Sequence, residues 1–271
     1  MIVLVTGASS GLGKYTAQAL RDAGHTVIAG ARSFELGQAE GMHRIHLDVT
    51  SGESVAAFVK AALAIAPRVD ALVQCAGILT LGTCEEVPAE EYRRIMETNF
   101  LGMVRVNQLV LPLMRKQGGG KIVMFSSING LLGIPFQSAY VASKHAIEGY
   151  AECLQMEARP FGIQVCLVEP GDHRGGSEAY RNRVTDADSP YAEAFAKGAA
   201  VIRRDEQNGS DPSRLGRRVA KAVSRKRMPF RLRSASADQH LAVYLHKLLP
   251  AWVNEKVLCS YYLGKGCKTS T

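Results

Sequence analysis

Short apolar segments alternate with helix-like patterns along the first 171 residues of the chain. The segments are apolar at consecutive positions, which is typical of parallel strands buried on both faces. Between them, apolar residues recur at the spacing of helices that pack one face on a sheet. The alternation therefore predicts a doubly wound α/β fold with a mostly parallel central sheet. Strands are predicted at residues 2–6, 26–31, 43–47, 69–75, 121–126 and 163–169, and helices at 12–22, from 53, at 88–117 and at 137–159.

The chain after residue 171 follows this pattern only in part. Residues 171–211 form a polar, glycine-containing stretch that is too long for an ordinary connector, so we expect a mobile substrate lid there. Asp211 and Pro212 then begin a predicted helix, because proline is tolerated in a first helical turn. A last short strand is predicted at residues 230–233.

The C-terminal segment, residues 241–264, is rich in apolar side chains but is interrupted by Pro250, which predicts short helices rather than a membrane span. Such helices could cap an apolar pocket, form a dimer contact or rest on a membrane surface. We therefore expect one domain, residues 1–236, that includes the lid, followed by a C-terminal helical appendix, residues 237–271.

Positive charge is concentrated in one part of the chain. The formal net charge is +8, and residues 203–233 alone hold eleven basic and three acidic residues. Such a segment could bind nucleic acid or a membrane surface. However, Leu215, Val219 and Val223 share one helix face while the arginines mostly lie elsewhere, as on any amphipathic surface helix. We therefore expect no nucleic-acid partner.

The spacing of the cysteines and the lengths of the apolar runs indicate the cellular compartment of the protein. The six cysteines lack the paired spacing of metal ligands, so we expect reduced thiols and no metal site. No basic leader with a long apolar region precedes the first predicted strand, and no run reaches the roughly eighteen apolar residues of a spanning helix. These features predict a cytoplasmic protein without a transmembrane segment, with peripheral membrane contact left open.

A glycine-rich loop, residues 6–13, follows the first predicted strand and opens the first helix with the sequence TGASSGLG. Glycines at this spacing allow a tight turn and a close approach of the backbone to a pyrophosphate. The helix N-terminus then favours the phosphate charge. This loop in this context indicates a Rossmann-type fold that binds a dinucleotide.

Four polar residues are candidates for chemistry. Tyr140 and Lys144 are four residues apart on one predicted helix face, and a nearby cation is expected to lower the pKa of a tyrosine towards a range useful for proton transfer. Ser127 follows a predicted strand at the sheet edge where ligands bind. Asn99 falls inside a long predicted helix, where a polar residue usually faces solvent. Taken one at a time, none of the four residues establishes a catalytic function.

Together with the glycine-rich loop, these residues resemble the short-chain dehydrogenase/reductase superfamily. The resemblance is strong over residues 1–171 and loose over the remainder. Residues 129–144 are most similar to reductases and dehydrogenases of the hydroxysteroid and retinol type. Matching segments occur, in the family's order and spacing, at residues 6–13, 48–49, 75–77, 98–99, 126–127, 140–144 and 170–171.

The resemblance implies a catalytic tetrad. Tyr140 would give or take the proton, and Ser127 would polarise and orient the carbonyl oxygen. Lys144 would lower the pKa of Tyr140 and bind the nicotinamide ribose, while Asn99 would hold a water that links Lys144 to solvent. The cofactor itself would carry the hydride. The residues implied in cofactor binding are Gly7, Ser9, Ser10, Gly11, Leu12, Gly13, Arg32, Ser33, Asp48, Val49, Ala76, Gly77, Asn99, Tyr140, Lys144, Pro170 and Gly171.

The end of the second predicted strand indicates which cofactor is used. NAD enzymes place an acidic residue there to accept hydrogen bonds from the ribose. Here Ala31 occupies that place, and Arg32 follows as a cation that can pair with a phosphate. We therefore predict NADP(H). Asp48 is expected to accept a hydrogen bond from the adenine amino group.

Two positions depart from the family pattern. Gln74 and Cys75 stand where the family usually has two asparagines, which predicts weaker local support for the neighbouring strands. After Pro170 and Gly171 the family commonly has a threonine that contacts the nicotinamide carboxamide. Residues 172–176 read DHRGG instead, which puts that contact in doubt.

The sequence thus predicts an NADP(H)-dependent oxidoreductase that interconverts a carbonyl and an alcohol on a small lipophilic substrate. The alternative is a regulatory or scaffold protein that binds NADP(H) without turnover. The presence of all four tetrad residues argues against that alternative. The helix at residues 137–159 has apolar groups on more than one face, which predicts a homo-oligomer.

Overall fold

The structure, a computed structural model, describes residues 1–174 and 181–264. The strands are β1 Ile2–Thr6, β2 Thr26–Ala31, β3 Gly37–Ala39, β4 Met42–His46, β5 Ala71–Gln74, β6 Leu79–Leu81, β7 Gly120–Phe125, β8 Ile163–Pro170, β9 Arg181–Arg183 and β10 Arg231–Ser234. The helices are α1 Gly11–Asp22, α2 Gly52–Ile65, α3 Ala89–Met96, α4 Gly102–Lys116, α5 Ser138–Ala158, α6 Ala192–Gln207, α7 Pro212–Ser224, α8 Ala237–Leu248 and α9 Ala251–Leu263.

Eight strands form the central sheet in the order β10-β8-β7-β5-β1-β2-β4-β3. Neighbouring strands pair in parallel, except for β3 and β4, which are antiparallel. From β1 the chain order runs outwards through β2 on one side and through β5 on the other. A crevice therefore opens at the carboxyl ends of these strands, where such sheets bind ligands. This topology confirms the predicted α/β Rossmann-type fold.

Apolar side chains cover both faces of the sheet. One core cluster includes Leu72, Ile122 and Leu167 from the strands with side chains of α2, α4 and α5. The cluster on the opposite face joins other strand residues to α1 and α7, and Leu215, Val219 and Val223 are fully buried in it, as their helical spacing predicted. Strands buried on both faces explain the consecutive apolar positions in the sequence.

The predicted helix at residues 88–117 is continuous but not uniform. A π-helical segment, Glu97–Leu101, lies between α3 and α4. Such a segment turns side chains out of α-helical register and is frequent at functional sites. It places Asn99 in the interior, fully buried, although the expected environment for a polar residue in this helix was solvent.

The stretch from residue 171 to 211 is more ordered than its polar sequence predicted. It contains β9, which pairs with β6, and the sixteen-residue helix α6. Phe195, Ala199 and Ile202 of α6 pack in a small core with Leu81. Gly198 is helical, and a Cβ there would lie 2.6 Å from the Phe136 ring, so this glycine serves close packing rather than an unusual backbone angle. Gly175 and Gly176, also expected in the lid, lie outside the described residues.

The C-terminal segment folds into α8 and α9, which Pro250 separates as predicted. Ser236 and Gln239 form a capping box at the start of α8, which fixes where that helix begins. Large apolar side chains remain exposed on both helices, including Leu248 at 78% and Trp252 at 65%. Among the described residues, no helix is both long and apolar enough to cross a membrane.

Candidate active site

A cavity of about 1040 Å³ opens at the carboxyl ends of the strands. Every residue that the sequence implicated in catalysis or cofactor binding lines this cavity, with the exception of Asn99. The loops after β1, β2, β4, β5, β7 and β8 form one side of it, and α6, α8 and α9 contribute to the other. The topology thus brings together residues that are far apart in sequence.

The glycine-rich loop has the backbone geometry that a dinucleotide cradle requires. Gly7 has a φ of +68° and Gly11 a φ of +51°, which other residues rarely adopt. A Cβ on Gly13 would lie 2.1 Å from the Gly7 carbonyl oxygen, so only glycine allows α1 to start this close to β1. Ser9 and Ser10 line the cavity beside this helix N-terminus, where backbone N–H groups favour an anion. The residues present therefore fit a pyrophosphate.

Arg32 and Asp48 lie at the end of the cavity formed by the loops after β2 and β4. Burial alone would raise the pKa of Asp48. Hydrogen bonds from the Thr50 backbone and hydroxyl, together with the charges of Arg32 and His46, outweigh it and lower that pKa. Asp48 Oδ1 accepts both Thr50 bonds, at 2.9 Å and 2.8 Å. Asp48 is therefore a fixed carboxylate, and Arg32 is exposed beside it.

Tyr140 and Lys144 meet Ser127 at the inner end of the cavity. Lys144 Nζ lies 5.4 Å from the centre of the Tyr140 ring. It donates a hydrogen bond of 2.8 Å to the Phe125 carbonyl at the end of β7. The Ser127 hydroxyl contacts the Pro170 carbonyl at 3.4 Å and accepts from the Asn129 amide at 3.1 Å. The ends of β7 and β8 and one face of α5 thus assemble the predicted catalytic group.

The protonation states of this pair differ from the expectation for Tyr140. Burial lowers the pKa of Lys144 to about 8. Burial raises the pKa of Tyr140 to about 12, with further increases from Glu206 and Asp172, and the hydrogen bond with Ser127 acts in the opposite direction. The Tyr140 pKa is therefore not lowered as expected, because desolvation of the phenolate and the charges of Glu206 and Asp172 raise it.

Asn99 supports the site from behind the cavity wall. Its side chain accepts from the Ile78 backbone N–H at 2.8 Å and donates to the Ile78 carbonyl at 2.9 Å and to Ser143 Oγ at 3.0 Å. A Cβ on Gly77 would lie 3.4 Å from Asn99 Oδ1 and 3.9 Å from Lys144 Nζ. The amide therefore fixes the backbone after β5 beside Lys144.

Gln74 stands in place of one of the two asparagines of the family pattern, and its side chain bonds to a helix. Its Nε2 donates to Asn107 Oδ1 at 2.8 Å inside the core, which ties β5 to α4. Its Oε1 is buried without a hydrogen-bond partner. Cys75 is half-buried, and desolvation raises the pKa of its thiol. Cys75, Cys84, Cys153 and Cys166 are free thiols, whereas Cys267 lies outside the described residues.

The outer part of the cavity combines apolar and acidic walls, which the sequence did not show. Asp172, directly after Gly171, receives a hydrogen bond from Gln239 of α8. Burial and the charges of Asp205 and Glu206 raise the pKa of Asp172 to about 6. The apolar lining comes from Leu132, Ile134, Ile202, Leu241, Ala242, Leu245, Val257, Leu258 and Tyr262.

Sequence reasoning missed these outer residues because their elements are far apart along the chain. Asp172 could have been singled out, since it replaces the family's threonine with a charge. Asp205, Glu206 and Gln239 carried no such signal. Among the described residues, no group of three or more His, Cys, Asp or Glu side chains is arranged to hold a metal ion.

The chain belongs to the short-chain dehydrogenase family, whose model matches residues 1–183. It is 40% identical over 265 residues to a 3-ketodihydrosphingosine reductase of Bacteroides thetaiotaomicron, covering 96% of this chain and 97% of that one. A short-chain dehydrogenase structure from Streptomyces avermitilis aligns with a TM-score of 0.79, 33% identity and coverage of 96% and 95%. An actinorhodin polyketide ketoreductase variant with NADPH aligns with a TM-score of 0.69, 26% identity and coverage of 86% and 95%. The protein is therefore an oxidoreductase that acts on CH–OH groups with a nicotinamide dinucleotide.

Proposed function

We propose that this protein is an NADPH-dependent reductase of a lipophilic ketone. The observation that carries the proposal is the position of Ser127, Tyr140 and Lys144 at the inner end of a cavity whose outer walls are largely apolar. Such a cavity fits a substrate with a reactive carbonyl at one end and a long hydrocarbon chain. The similarity to a 3-ketodihydrosphingosine reductase supports a lipid ketone.

In the proposed reaction the chain's residues position the carbonyl and supply its proton. A nicotinamide dinucleotide held by the glycine-rich loop and Lys144 would supply hydride chemistry at the carbonyl carbon. Ser127 donates a hydrogen bond that orients the carbonyl oxygen, and the Tyr140 hydroxyl transfers its proton to that oxygen to give the alcohol. Lys144 is held by the Phe125 carbonyl, lies close to Asn99 and would bind the cofactor ribose.

The protonation of Tyr140 fits the role of an acid in the reduction. With its pKa raised to about 12, the hydroxyl keeps its proton at neutral pH and can donate it to the carbonyl oxygen.

The choice of NADPH over NADH rests on Ala31 and Arg32. Neither residue is acidic, so the end of β2 lacks the carboxylate that would repel a 2′-phosphate, and the exposed Arg32 guanidinium can pair with that phosphate. Similarity to a ketoreductase structure with NADPH is in line with this choice.

The test is a substrate screen with purified protein. Long-chain ketones and short-chain ketones of the same headgroup are incubated with NADPH or NADH, and cofactor oxidation is followed by absorbance. We expect reduction with NADPH, and a kcat/KM that rises with chain length as more of the apolar wall is covered. Absence of turnover on every ketone with both cofactors would refute the proposal. The hydroxysteroid and retinol resemblance defines a second substrate panel for the same screen.

A further inference from the structure

His46 lies beside Ala31, the position at which an NAD enzyme places its acidic residue. Ala31 is the last residue of β2 and pairs in the parallel ladder with His46, the last residue of β4. Directly after His46, the Leu47 backbone N–H donates to the Ala31 carbonyl at 3.1 Å. Neighbouring strands lie about 4.8 Å apart. The two residues are therefore direct neighbours across the ladder.

The side chains of these two residues also share one face of the sheet. Side chains alternate between the two faces along a strand. Ala29, two residues before Ala31, is buried in the core cluster with α1 and α7. Ile45 and Leu47, which flank His46, are buried in the cluster on the opposite face. The His46 imidazole therefore points to the same face as the Ala31 methyl group.

The loop after β2 folds over the same place. The Phe34 backbone N–H donates to the Ala31 carbonyl at 3.1 Å, which closes a tight turn with Arg32 at its corner. The Arg44 guanidinium lies 4.9 Å from the centre of the Phe34 ring, so this turn packs on β4. Arg44 shares a face of β4 with His46, which follows two residues later. The turn therefore brings Arg32 to the strand end and the face that carry His46.

The charged groups around His46 leave room for an anion. They are Arg32 from the turn, Arg44 on the same face of β4, and Asp48 after β4. Arg44 pairs with Glu40 at 3.2 Å, and Asp48 accepts hydrogen bonds from its own loop. Arg32 and His46 are exposed, and neither forms an ion pair within residues 1–174 and 181–264. A protonated His46 would thus give this end two cations without an ion pair against the carboxylate of Asp48.

A phosphate dianion fits this arrangement. The acidic residue of an NAD enzyme contacts the ribose 2′-hydroxyl, and NADP(H) carries a phosphate on that oxygen. A phosphate in that place lies beside the Ala31 methyl group, within reach of the imidazole on the neighbouring strand. An arginine stays charged at all of the relevant pH values, whereas a histidine changes its charge between about pH 5 and 8.

We propose that His46 is a second side chain of the 2′-phosphate site and that its protonated form strengthens the binding of NADP(H) over NAD(H). The inference rests on the proposed NADP(H) preference and adds a pH dependence to it. A bound phosphate favours the charged imidazole, so cofactor binding takes up a proton. The preference for NADP(H) therefore declines as the pH rises and the imidazole loses its charge.

The experiment compares two cofactors that differ only in this phosphate. NADPH and NADH are titrated by fluorescence at about pH 6.5 and about pH 8.5, where the phosphate is mostly a dianion. The variants are His46→Gln, which cannot be charged, and His46→Lys, which is charged at both values. The matched control is His43→Gln, which removes an imidazole from the opposite face of β4, where it contacts Gln38 at 3.1 Å. Thermal unfolding first shows that each variant is folded.

We expect the ratio of NADPH to NADH affinity in the unmodified protein to be about threefold to fivefold larger at the lower pH, the scale of an exposed pair of opposite charges. His46→Gln should remove this increase. His46→Lys should keep the larger ratio at both pH values. His43→Gln should behave as the unmodified protein does.

Calorimetry with 2′,5′-ADP gives a second readout that needs neither the nicotinamide nor turnover. Titration in two buffers of different ionisation enthalpy measures the protons that are taken up on binding. We expect proton uptake near neutral pH in the unmodified protein and in His43→Gln. We expect none in His46→Gln and His46→Lys.

The contrary outcomes are distinguishable. A preference for NADPH that is equal at both pH values and unchanged in His46→Gln would overturn the role of His46 and leave the NADP(H) proposal intact. An equal loss of NADPH and NADH affinity in His46→Gln would also overturn it, because the residue would then support the strand end rather than the phosphate. Equal affinities of the unmodified protein for both cofactors at both pH values would remove the NADP(H) proposal itself.

Discussion

Replacing Tyr140 with phenylalanine removes one oxygen atom and keeps the ring, so Tyr140→Phe tests the hydroxyl alone. That hydroxyl is buried, bonds to Ser127 and holds its proton at neutral pH, because its pKa is raised to about 12. Loss of a positioned proton donor lowers turnover by about 10²–10⁴. This factor corresponds to about 2.7–5.5 kcal/mol of transition-state stabilisation.

The expected effect on folding is much smaller. A typical hydrogen bond of a side chain contributes about 0.5–1.5 kcal/mol to the free energy of unfolding. The ring of Tyr140 stays in place, and α5 keeps its contacts with the sheet. Steady-state ketone reduction, urea unfolding and NADPH titration of the same preparation therefore separate a catalytic role from a structural one.

Tyr150 provides a matched control on the same helix. Its hydroxyl accepts a hydrogen bond of 3.2 Å from Asn107 Nδ2, and burial raises its pKa. Tyr150→Phe thus removes the same atom from a half-buried site and should cost comparable stability while leaving turnover unchanged. Near-normal turnover in Tyr140→Phe, or an equal loss in both variants, would refute Tyr140 as the proton donor.

Further outcomes follow from the cavity and the surface. Arg32→Ala should weaken NADPH binding by about tenfold and leave NADH binding unchanged, since only NADPH carries the phosphate that an exposed guanidinium would bind. Equal dissociation constants for NADPH and NADH, measured by fluorescence titration of the unmodified protein, would contradict this. Truncation after Ser236 removes α8 and α9 and should raise KM for long-chain ketones while NADPH affinity stays similar. Circular dichroism must first show that the truncated protein is folded, and unchanged kinetics would then exclude a role of these helices in capping the cavity. We expect a homo-oligomer, because Leu109, Met156 and Phe161 expose apolar side chains on and beside α4 and α5. A monomeric mass in sedimentation at micromolar concentration would count against it.

The central sheet could be predicted because a buried strand requires a recognisable pattern of apolar residues in the sequence. A strand sandwiched between helix layers must be apolar at successive positions, and β1 and β2 begin and end where such runs do. Helix α7 could be predicted for a similar reason. Asp211 caps it, Pro212 fits its first turn, and its buried residues recur with helical spacing.

Helix α6 could not be predicted because its partners are distant in sequence. Its apolar residues, such as Phe195 and Ile202, are separated by charged ones, and they are buried only when Leu81 and Phe136 are brought against them. A short apolar stripe is ambiguous until the surface that covers it is known. The same segment therefore resembles a polar loop in the sequence and forms a packed helix in the structure.

The residues that form the candidate site could be predicted from the sequence, but their pKa shifts could not. The family motifs identify Tyr140 and Lys144, and their spacing shows that they share a helix face. The sign of the Tyr140 pKa shift depends on burial and on Glu206, which lies 66 positions away along the chain. The inward position of Asn99 depends likewise on a π-helical segment that local propensity does not indicate.

The two sides of the cavity come from different parts of the chain. One side holds the residues for the chemical step, and the other side holds residues that contact the rest of the substrate. The loops after the strands, up to Gly171, position the cofactor and Tyr140, and they are fixed by the sheet. Helices α6, α8 and α9 lie outside the sheet and form the outer wall. Asp172 stands at the junction, one residue beyond the family motif, where Gln239 of α8 bonds to it. For that reason the family motifs predict the chemistry, and the substrate class must be read from the charge and apolar surface that follow them.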